Sequence, residues 1–159
     1  MDGTVKPIPD GYPAITPYMC MQGASQAIDY YKSVFGAAER FRMPAPDGKI
    51  GHAEINIGGS VIMLADEFPK MQFRGPRAFG GSPVHLHLYV DNVDGIIERA
   101  VAAGAKILRP VKNQFYGDRS GTIEDPFGHV WHIATHVEDM TSEELCRRAE
   151  QASKEMGGG

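Results

Sequence analysis

The spacing of apolar residues in the first half of the chain predicts one helix surrounded by strands. Apolar residues recur at steps of three and four from Ala24 to Phe35, and Gly36 is positioned to end that helix. Short runs of strand-forming residues predict strands at 14–20, 39–43, 50–57 and 61–65, and polar and apolar residues alternate over 51–57. Gly58-Gly59 predicts a tight hairpin, and Pro17 favours an edge position or a bulge for the first strand.

The second half repeats this order of elements. Its helix has apolar positions from Val93 to Val101, follows the capping candidates Asp91 and Asn92, and ends near Gly104. Strands are predicted at 84–90, 106–108, 121–124 and 129–136. The helix ends match at an offset of 68 residues, which suggests a duplicated β-α-β-β-β module. One helix covers only one face of each sheet, so the other face is left for a ligand or a partner module.

Three segments lie outside the repeated pattern. Residues 1–12 are predicted to form a loose arm, and the aperiodic residues 66–83 a long linker or loop. Residues 138–159 are predicted to form a helix capped by Thr141 and a frayed tail. We therefore expect one domain over 13–137, with modules at 13–65 and 84–137.

Composition narrows the class of protein. The 159 residues carry 16 Lys and Arg against 20 Asp and Glu, which argues against nucleic-acid binding. No apolar run approaches the roughly 20 residues that cross a bilayer, and the start of the chain lacks the pattern of a secretion signal. Two cysteines are too few for a disulfide framework. We expect a cytoplasmic protein with reduced thiols and no membrane or nucleic-acid partner.

Histidines fall mainly on the polar sides of the predicted strands. His52 alternates with apolar residues in its strand, as do His85 and His87 in theirs and His132 and His136 in the last strand. Imidazole can bind metals, donate and accept hydrogen bonds, and titrate near neutral pH. The grouped pattern therefore points to a functional face, although each histidine alone is more typical of an ordinary half-solvated sheet.

Several segments together resemble the vicinal oxygen chelate superfamily, the glyoxalase, bleomycin-resistance and extradiol dioxygenase group, over residues 13–137. The closest branch is the PhnB-like one. The segments that carry the resemblance are Ile15-Thr16-Pro17-Tyr18, Ala27–Lys32, Phe35-Gly36-Ala37, His52-Ala53-Glu54, Val84–Asp91, Tyr116-Gly117-Asp118-Arg119 and Glu124–Trp131. The resemblance implies an α+β fold of paired βαβββ modules that form a U-shaped cleft.

The resemblance also implies where a metal would bind. Members that use a metal take its ligands from the first and last strands of each module, which correspond here to Thr16, Met63, His85 and His132. Thr16 is a poor ligand and the Met63 thioether is soft. Glu54 on the neighbouring strand could replace them and complete a His85, His132 and Glu54 set for one divalent ion (Zn, Ni, Mn or Fe).

Two functions remain open. In the first, a metal-free binding protein holds a small molecule in the cleft, with Tyr18, Tyr89, Tyr116 and Phe73 as stacking residues and His87 and Glu54 as hydrogen-bonding groups. In the second, a metal-dependent lyase, isomerase or dioxygenase uses His85 and His132, with Glu54 as third ligand or catalytic base. Arg119 could hold an anionic group of the substrate. The family resemblance makes a homodimer the expected assembly.

Overall fold

A computed structural model describes residues 3–157 and divides the chain into two compact units between Gly80 and Gly81. In the first unit the elements are β1 (Tyr18–Met21), α1 (Ala24–Phe35), β2 (Ala38–Pro44), β3 (Ile50–Ile57) and β4 (Ser60–Asp66). The four strands form a sheet in the order β1-β4-β3-β2, with β1 parallel to β4 and the other pairs antiparallel.

Helix α1 packs on one face of this sheet because its apolar stripe faces the apolar side of the strands. Ile28, Tyr31 and Val34 of the helix are fully buried, as are Ala53 and Ile55 of β3. The helix begins after Gly23, which has no capping side chain. Asp66 at the end of β4 takes that role, since its Oδ1 accepts the backbone N–H groups of Gly23 at 2.8 Å and Ala24 at 3.0 Å.

The second unit repeats the arrangement and adds a helix. Its elements are β5 (His85–Tyr89), α3 (Val93–Ala102), β6 (Lys106–Asn113), β7 (Asp118–Glu124), β8 (Val130–His136) and α4 (Ser142–Gly157). The sheet order β5-β8-β7-β6 matches that of the first unit. Asn92 caps α3 through its Oδ1, which accepts the N–H of Gly95 at 3.1 Å, and Thr141 caps α4 by accepting the N–H of Glu144 at 3.2 Å.

The predicted α+β fold of two βαβββ modules with a C-terminal helix is confirmed. Strand bounds differ at the edges, where β1 begins only after Pro17 and β6 runs to Asn113 instead of ending at Leu108. The edge strand β6 is almost entirely exposed, so it carries no alternating apolar signal. The segment 66–83 contains a short 3₁₀ turn at Pro69–Met71 and the one-turn helix α2 (Pro76–Phe79).

Both cysteines are thiols, and Cys20 is buried whereas Cys146 is exposed. Burial, followed by the nearby carboxylates of Glu67 and Asp66, raises the pKa of Cys20 to about 12, which makes it an inert core residue. Within residues 3–157, no helix combines the length and the apolar character that a membrane crossing requires.

Candidate functional site

The open face of the first sheet, opposite α1, joins three strands through one row of residues. Tyr18 of β1 pairs with Met63 of β4, and Met63 pairs with Glu54 of β3. Because alternate residues of a strand share a face, His52 lies on the same side as Glu54. Tyr18 is 49% exposed, so its ring is accessible on this face.

Glu54 is a buried carboxylate with one oxygen in use. The residue is 3% exposed, and its Oε2 lies 3.3 Å from Nε2 of His52. Its Oε1 is buried and has no hydrogen-bond partner of ordinary geometry among the described residues. The hydroxyl of Tyr12 approaches this carboxylate closely enough that hydrogen bonding to Glu54, with burial as the second cause, raises the pKa of Tyr12.

Aromatic rings surround His52. Its ring centroid lies 5.4 Å from that of Tyr18 and 5.9 Å from that of Phe41, and its Nδ1 lies 3.3 Å from the Tyr18 hydroxyl. Phe73, from the segment that follows β4, stacks on Tyr18 at a centroid distance of 5.0 Å. The predicted residues Tyr18, Phe73 and Glu54 are therefore part of one cluster on the first unit.

On the open face of the second sheet, imidazoles and a hydroxyl form a chain. Nδ1 of His85 lies 2.9 Å from Nε2 of His132, and Nδ1 of His132 lies 3.0 Å from the hydroxyl of Thr122. His87 is the pairing partner of His132, with a ring-centroid distance of 6.3 Å. Burial, and then the neighbouring His85 and His87, lower the pKa of His132, so that imidazole is neutral at pH 7.

This pair does not fit a metal centre as it stands. The facing nitrogens of His85 and His132 lie 2.9 Å apart in hydrogen-bond geometry, so at least one ring would have to turn before both nitrogens could face an ion. Glu54, the third predicted ligand, belongs to the first unit. Among residues 3–157, no three His, Cys, Asp or Glu side chains are grouped so that they could hold a metal.

Tyr89 belongs to a second hydrogen-bonded group on the same sheet. Its hydroxyl donates to Oδ2 of the buried Asp118 at 3.0 Å, and Oδ1 of Asp118 lies 2.8 Å from Nδ1 of His136. Nε2 of His136 lies 2.8 Å from Asp139 in the segment that leads to α4. Hydrogen bonding to Asp118 and then to Asp139 raises the pKa of His136.

The two remaining predicted residues lie on opposite faces of β7. The hydroxyl of Tyr116 is 3.4 Å from that of Ser120, on the side of Thr122 and His132. Arg119 instead makes a two-pronged ion pair with Asp94 of α3, at 2.7 and 2.8 Å, and donates to Asn113 at 3.3 Å. Its guanidinium therefore faces the helix side of the sheet and is engaged there.

A cavity of about 770 Å³ lies on the second unit, between strands β6–β8 and α4. This volume is typical of small-molecule sites, which span roughly 300–1,000 Å³. Its lining includes two cationic side chains, two aromatic rings, hydroxyl groups, one imidazole and three residues of α4. These residues are Arg109, Lys112, Phe115, Tyr116, Ser120, Thr122, His132, Ala152, Glu155 and Met156. Of the predicted site residues, Tyr116 and His132 line it.

Arg148 holds α4 at this cavity. Its guanidinium donates to both carboxylate oxygens of Glu138, at 2.7 and 2.9 Å, to Glu144 at 2.8 Å, and to the carbonyl of Phe115 at 3.2 Å. Gly117 anchors the same region, since its carbonyl accepts the N–H groups of Val137 and Glu138. Its φ of +90° requires glycine.

Sequence reasoning missed Arg109 and Lys112, because both lie on the exposed edge strand β6, which has no periodic signal. It also missed the role of α4 as a cavity wall. In the structure, Arg148 of this helix donates to the carbonyl of Phe115 and to Glu138 of the same unit.

The sequence model of the Glyoxalase/Bleomycin resistance protein/Dioxygenase superfamily matches residues 19–133. The chain belongs to this superfamily. The match covers both βαβββ units, and the family prediction is thereby confirmed.

The chain is also similar to curated proteins and to solved structures. Uncharacterized protein Rv0887c of Mycobacterium tuberculosis is 40% identical over 136 residues, which are 84% of this chain and 80% of the relative. Protein YjdN of Escherichia coli is 26% identical over 140 residues, 75% of this chain and 92% of that protein.

Among solved structures, TioX from Micromonospora sp. ML1 has a TM-score of 0.61 at 26% identity, covering 81% of this chain and all of TioX. The fosfomycin resistance protein FosX from Listeria monocytogenes has a TM-score of 0.59 at 17% identity, covering 84% of this chain and 97% of that one, which shows the fold alone.

Proposed function

We propose that this superfamily member is a small-molecule-binding protein whose ligand occupies the cavity between strands β6–β8 and α4 of the second unit. The observation that carries the proposal is the cavity itself, because about 770 Å³ accommodates a drug-sized molecule. Its mixed lining provides apolar contact for the body of a ligand and a small number of polar groups that orient it.

The lining favours a ligand with an aromatic body and an anionic group. Arg109 and Lys112 place two positive charges at one strand of the cavity, against the single carboxylate of Glu155 on α4. Phe115 and Tyr116 supply ring faces. The rings of Phe115 and Tyr116 meet edge to face at a centroid distance of 5.2 Å, and both are partly exposed. A flat ligand stacked on Tyr116 would place its acidic group within reach of the cations.

His132 and Thr122 give the cavity an uncharged polar wall. Because the pKa of His132 is lowered by burial and by the neighbouring imidazoles, its ring adds no positive charge to the cavity, and its two nitrogens are held by His85 and Thr122. The proposal includes no metal-dependent step, since the paired His85 and His132 nitrogens do not form a ligand set.

The test is the binding of 2-naphthoate, an aromatic carboxylate, measured by calorimetry and by thermal unfolding in the presence of a chelator. We expect saturable binding that raises the midpoint of unfolding. Arg109→Ala and Tyr116→Ala should each weaken binding by about tenfold, because each removes a charge-assisted hydrogen bond or a stacking face.

Two exposed residues of the first unit provide matched controls. Arg74→Ala removes an arginine and Phe79→Ala removes a ring, both outside the cavity, so neither should change the affinity for 2-naphthoate. Equal affinities for wild type, Arg109→Ala and Tyr116→Ala, or no saturable binding at all, would contradict the proposal.

A further inference from the structure

The open sheet face of the first unit contributes no residue to the lining of the cavity described above. Glu54 is 3% exposed, and its Oε1 is buried without a hydrogen-bond partner of ordinary geometry among residues 3–157. A buried acceptor without a hydrogen-bond partner is energetically unfavourable, and more so if it carries charge. A ligand that brings an N–H group to this oxygen would recover that free energy.

Three rings lie beside this carboxylate. His52 is hydrogen-bonded to Glu54 and lies between Tyr18 and Phe41, at centroid distances of 5.4 and 5.9 Å. Tyr18 and Phe41 are 49% and 42% exposed, so ring surface remains available on the open face. Aromatic faces attract cations through the negative potential above the ring.

We propose that Glu54, Tyr18 and Phe41 form a binding site for a primary ammonium group carried on an aromatic or apolar body. The ammonium donates to Oε1 of Glu54, and the ring or chain attached to it packs on Tyr18 and Phe41. A carboxylate next to aromatic rings favours a cation over a neutral donor, because charge–charge attraction and cation–π attraction act on the same group.

The arm before β1 covers the approach to this site. Nη1 of Arg40 donates to the carbonyl of Gly11 at 3.4 Å, and the Arg40 guanidinium lies 4.6 Å from the centroid of the Tyr12 ring. Contacts of this kind at exposed positions are weak. The Tyr12 hydroxyl on this arm also lies beside the Glu54 carboxylate, but it leaves Oε1 without a hydrogen bond, and Oε1 is the atom to which the ammonium donates.

The experiment compares four probes that share a benzyl or phenyl body, using calorimetry on the full chain at pH 7. Benzylamine has both the charge and N–H donors, benzyltrimethylammonium has the charge alone, benzyl alcohol has a neutral donor, and benzoate has the opposite charge. We expect saturable binding of benzylamine, and affinities at least about tenfold lower for the other three.

Two variants assign the binding to the proposed residues. Glu54→Gln preserves the shape of the side chain and removes its charge, and should weaken benzylamine binding by about tenfold or more. Tyr18→Leu should weaken it by about threefold to tenfold, because it removes a cation–π partner. Glu98→Gln, the same change at an exposed glutamate of α3, is the matched control and should leave the affinity unchanged.

Four outcomes would overturn the proposal: no saturable binding of benzylamine, equal or tighter binding of benzyl alcohol, equal binding of benzoate, or an unchanged affinity in Glu54→Gln. Should Glu54→Gln fail to fold, the probe series on the wild-type chain and Tyr18→Leu still decide. Because 2-naphthoate and benzylamine are tested with different variants, the failure of either site leaves the other proposal standing.

Discussion

In the first unit the row across the open face is Tyr18, Met63 and Glu54, whereas the corresponding paired positions of the second unit hold His87, His132 and Thr122. The strand order is the same in both sheets. The first face thus offers rings and an unpaired carboxylate oxygen, while the second offers hydrogen-bonded imidazoles and a hydroxyl beside a cavity. Duplication kept the scaffold and left each face free to acquire different chemistry.

The two units also differ in the side chains that accept hydrogen bonds from the first backbone N–H groups of α1 and α3. Asp66, at the end of β4, accepts three backbone N–H groups, those of Gly23, Ala24 and Ile50. In the second unit, Thr135 near the end of β8 accepts the N–H of Val93 at 3.0 Å and donates to the carbonyl of Val90 at 2.8 Å. Different side chains thus satisfy the first N–H groups of the two helices.

Substitution of these two capping side chains should give the largest effect, a loss in the free energy of unfolding. Asp66→Ala leaves three backbone N–H groups without their acceptor around a residue that is 6% exposed, so we expect a loss of about 3–5 kcal/mol in the free energy of unfolding. Thr135→Val loses one accepted and one donated hydrogen bond and should cost about 1–2 kcal/mol. Urea unfolding measures both.

Equal losses in the free energy of unfolding for Thr135→Val and Asp66→Ala would contradict this difference between the two caps. Asp66→Asn is the intermediate case, because it keeps an acceptor oxygen for α1 but presents an amide where the carboxylate accepted from Ile50. Its loss should fall between those of Asp66→Ala and Thr135→Val.

The sequence predicted the scaffold better than the site, for a physical reason. Helices α1 and α3 and the central strands bury one face each, so their periodicity is visible in the sequence, as in the alternation of His52 and Glu54 with Ala53 and Ile55. The same alternation predicted that His85 and His132 share a face, and the two side chains are in contact.

The residues that the site residues contact could not be predicted from sequence periodicity. The ion pair of Arg119 with Asp94 and that of Arg148 with Glu138 are tertiary contacts between half-buried and exposed residues. Arg109 lies on an exposed edge strand. Such residues have no periodic pattern, because nothing in their burial constrains their neighbours in the sequence.

The next largest effect is expected on α4, which forms one wall of the cavity of the second unit. Arg148→Ala removes the donors that join α4 to Glu138 and to the carbonyl of Phe115. We expect hydrogen exchange in α4 to accelerate by roughly tenfold and 2-naphthoate to bind more weakly. Arg147→Ala is the control, because the ion pair of Arg147 joins it to Glu144, also on α4. Equal exchange rates in the two variants would contradict the role of Arg148.

A smaller effect is expected from metal addition, which tests the predicted His85, His132 and Glu54 set directly. Calorimetric titration with Zn²⁺ should show at most weak uptake, because two imidazoles whose nitrogens face each other supply an incomplete ligand set. The heat of the Zn²⁺ titration should then be nearly the same for His85→Ala as for the wild type. Tight uptake at one ion per chain, lost in His85→Ala, would instead show that the rings rotate to bind an ion and would favour the metal-dependent function.

The smallest effect is a pH dependence specific to the second unit. His136 contacts the buried Asp118 at the start of β7, where the first unit has Ile50 at the start of β3, and it also contacts Asp139 before α4. These carboxylates raise the pKa of His136 above its ordinary 6.5, with Asp118 as the larger cause. Protonated His136 therefore joins β7 to the segment that leads to α4.

The direction of the pH effect follows from that raised pKa. The stabilisation is complete below 6.5, where the histidine is protonated in both the folded and the unfolded chain, and is lost as the pH rises through the higher pKa of the folded state. Subtracting the urea-unfolding free energy of His136→Asn from that of the wild type at each pH isolates this contribution from all other titrating groups. A difference that stays constant, or that grows with pH, would show that Asp118 and Asp139 do not act through a charged imidazole.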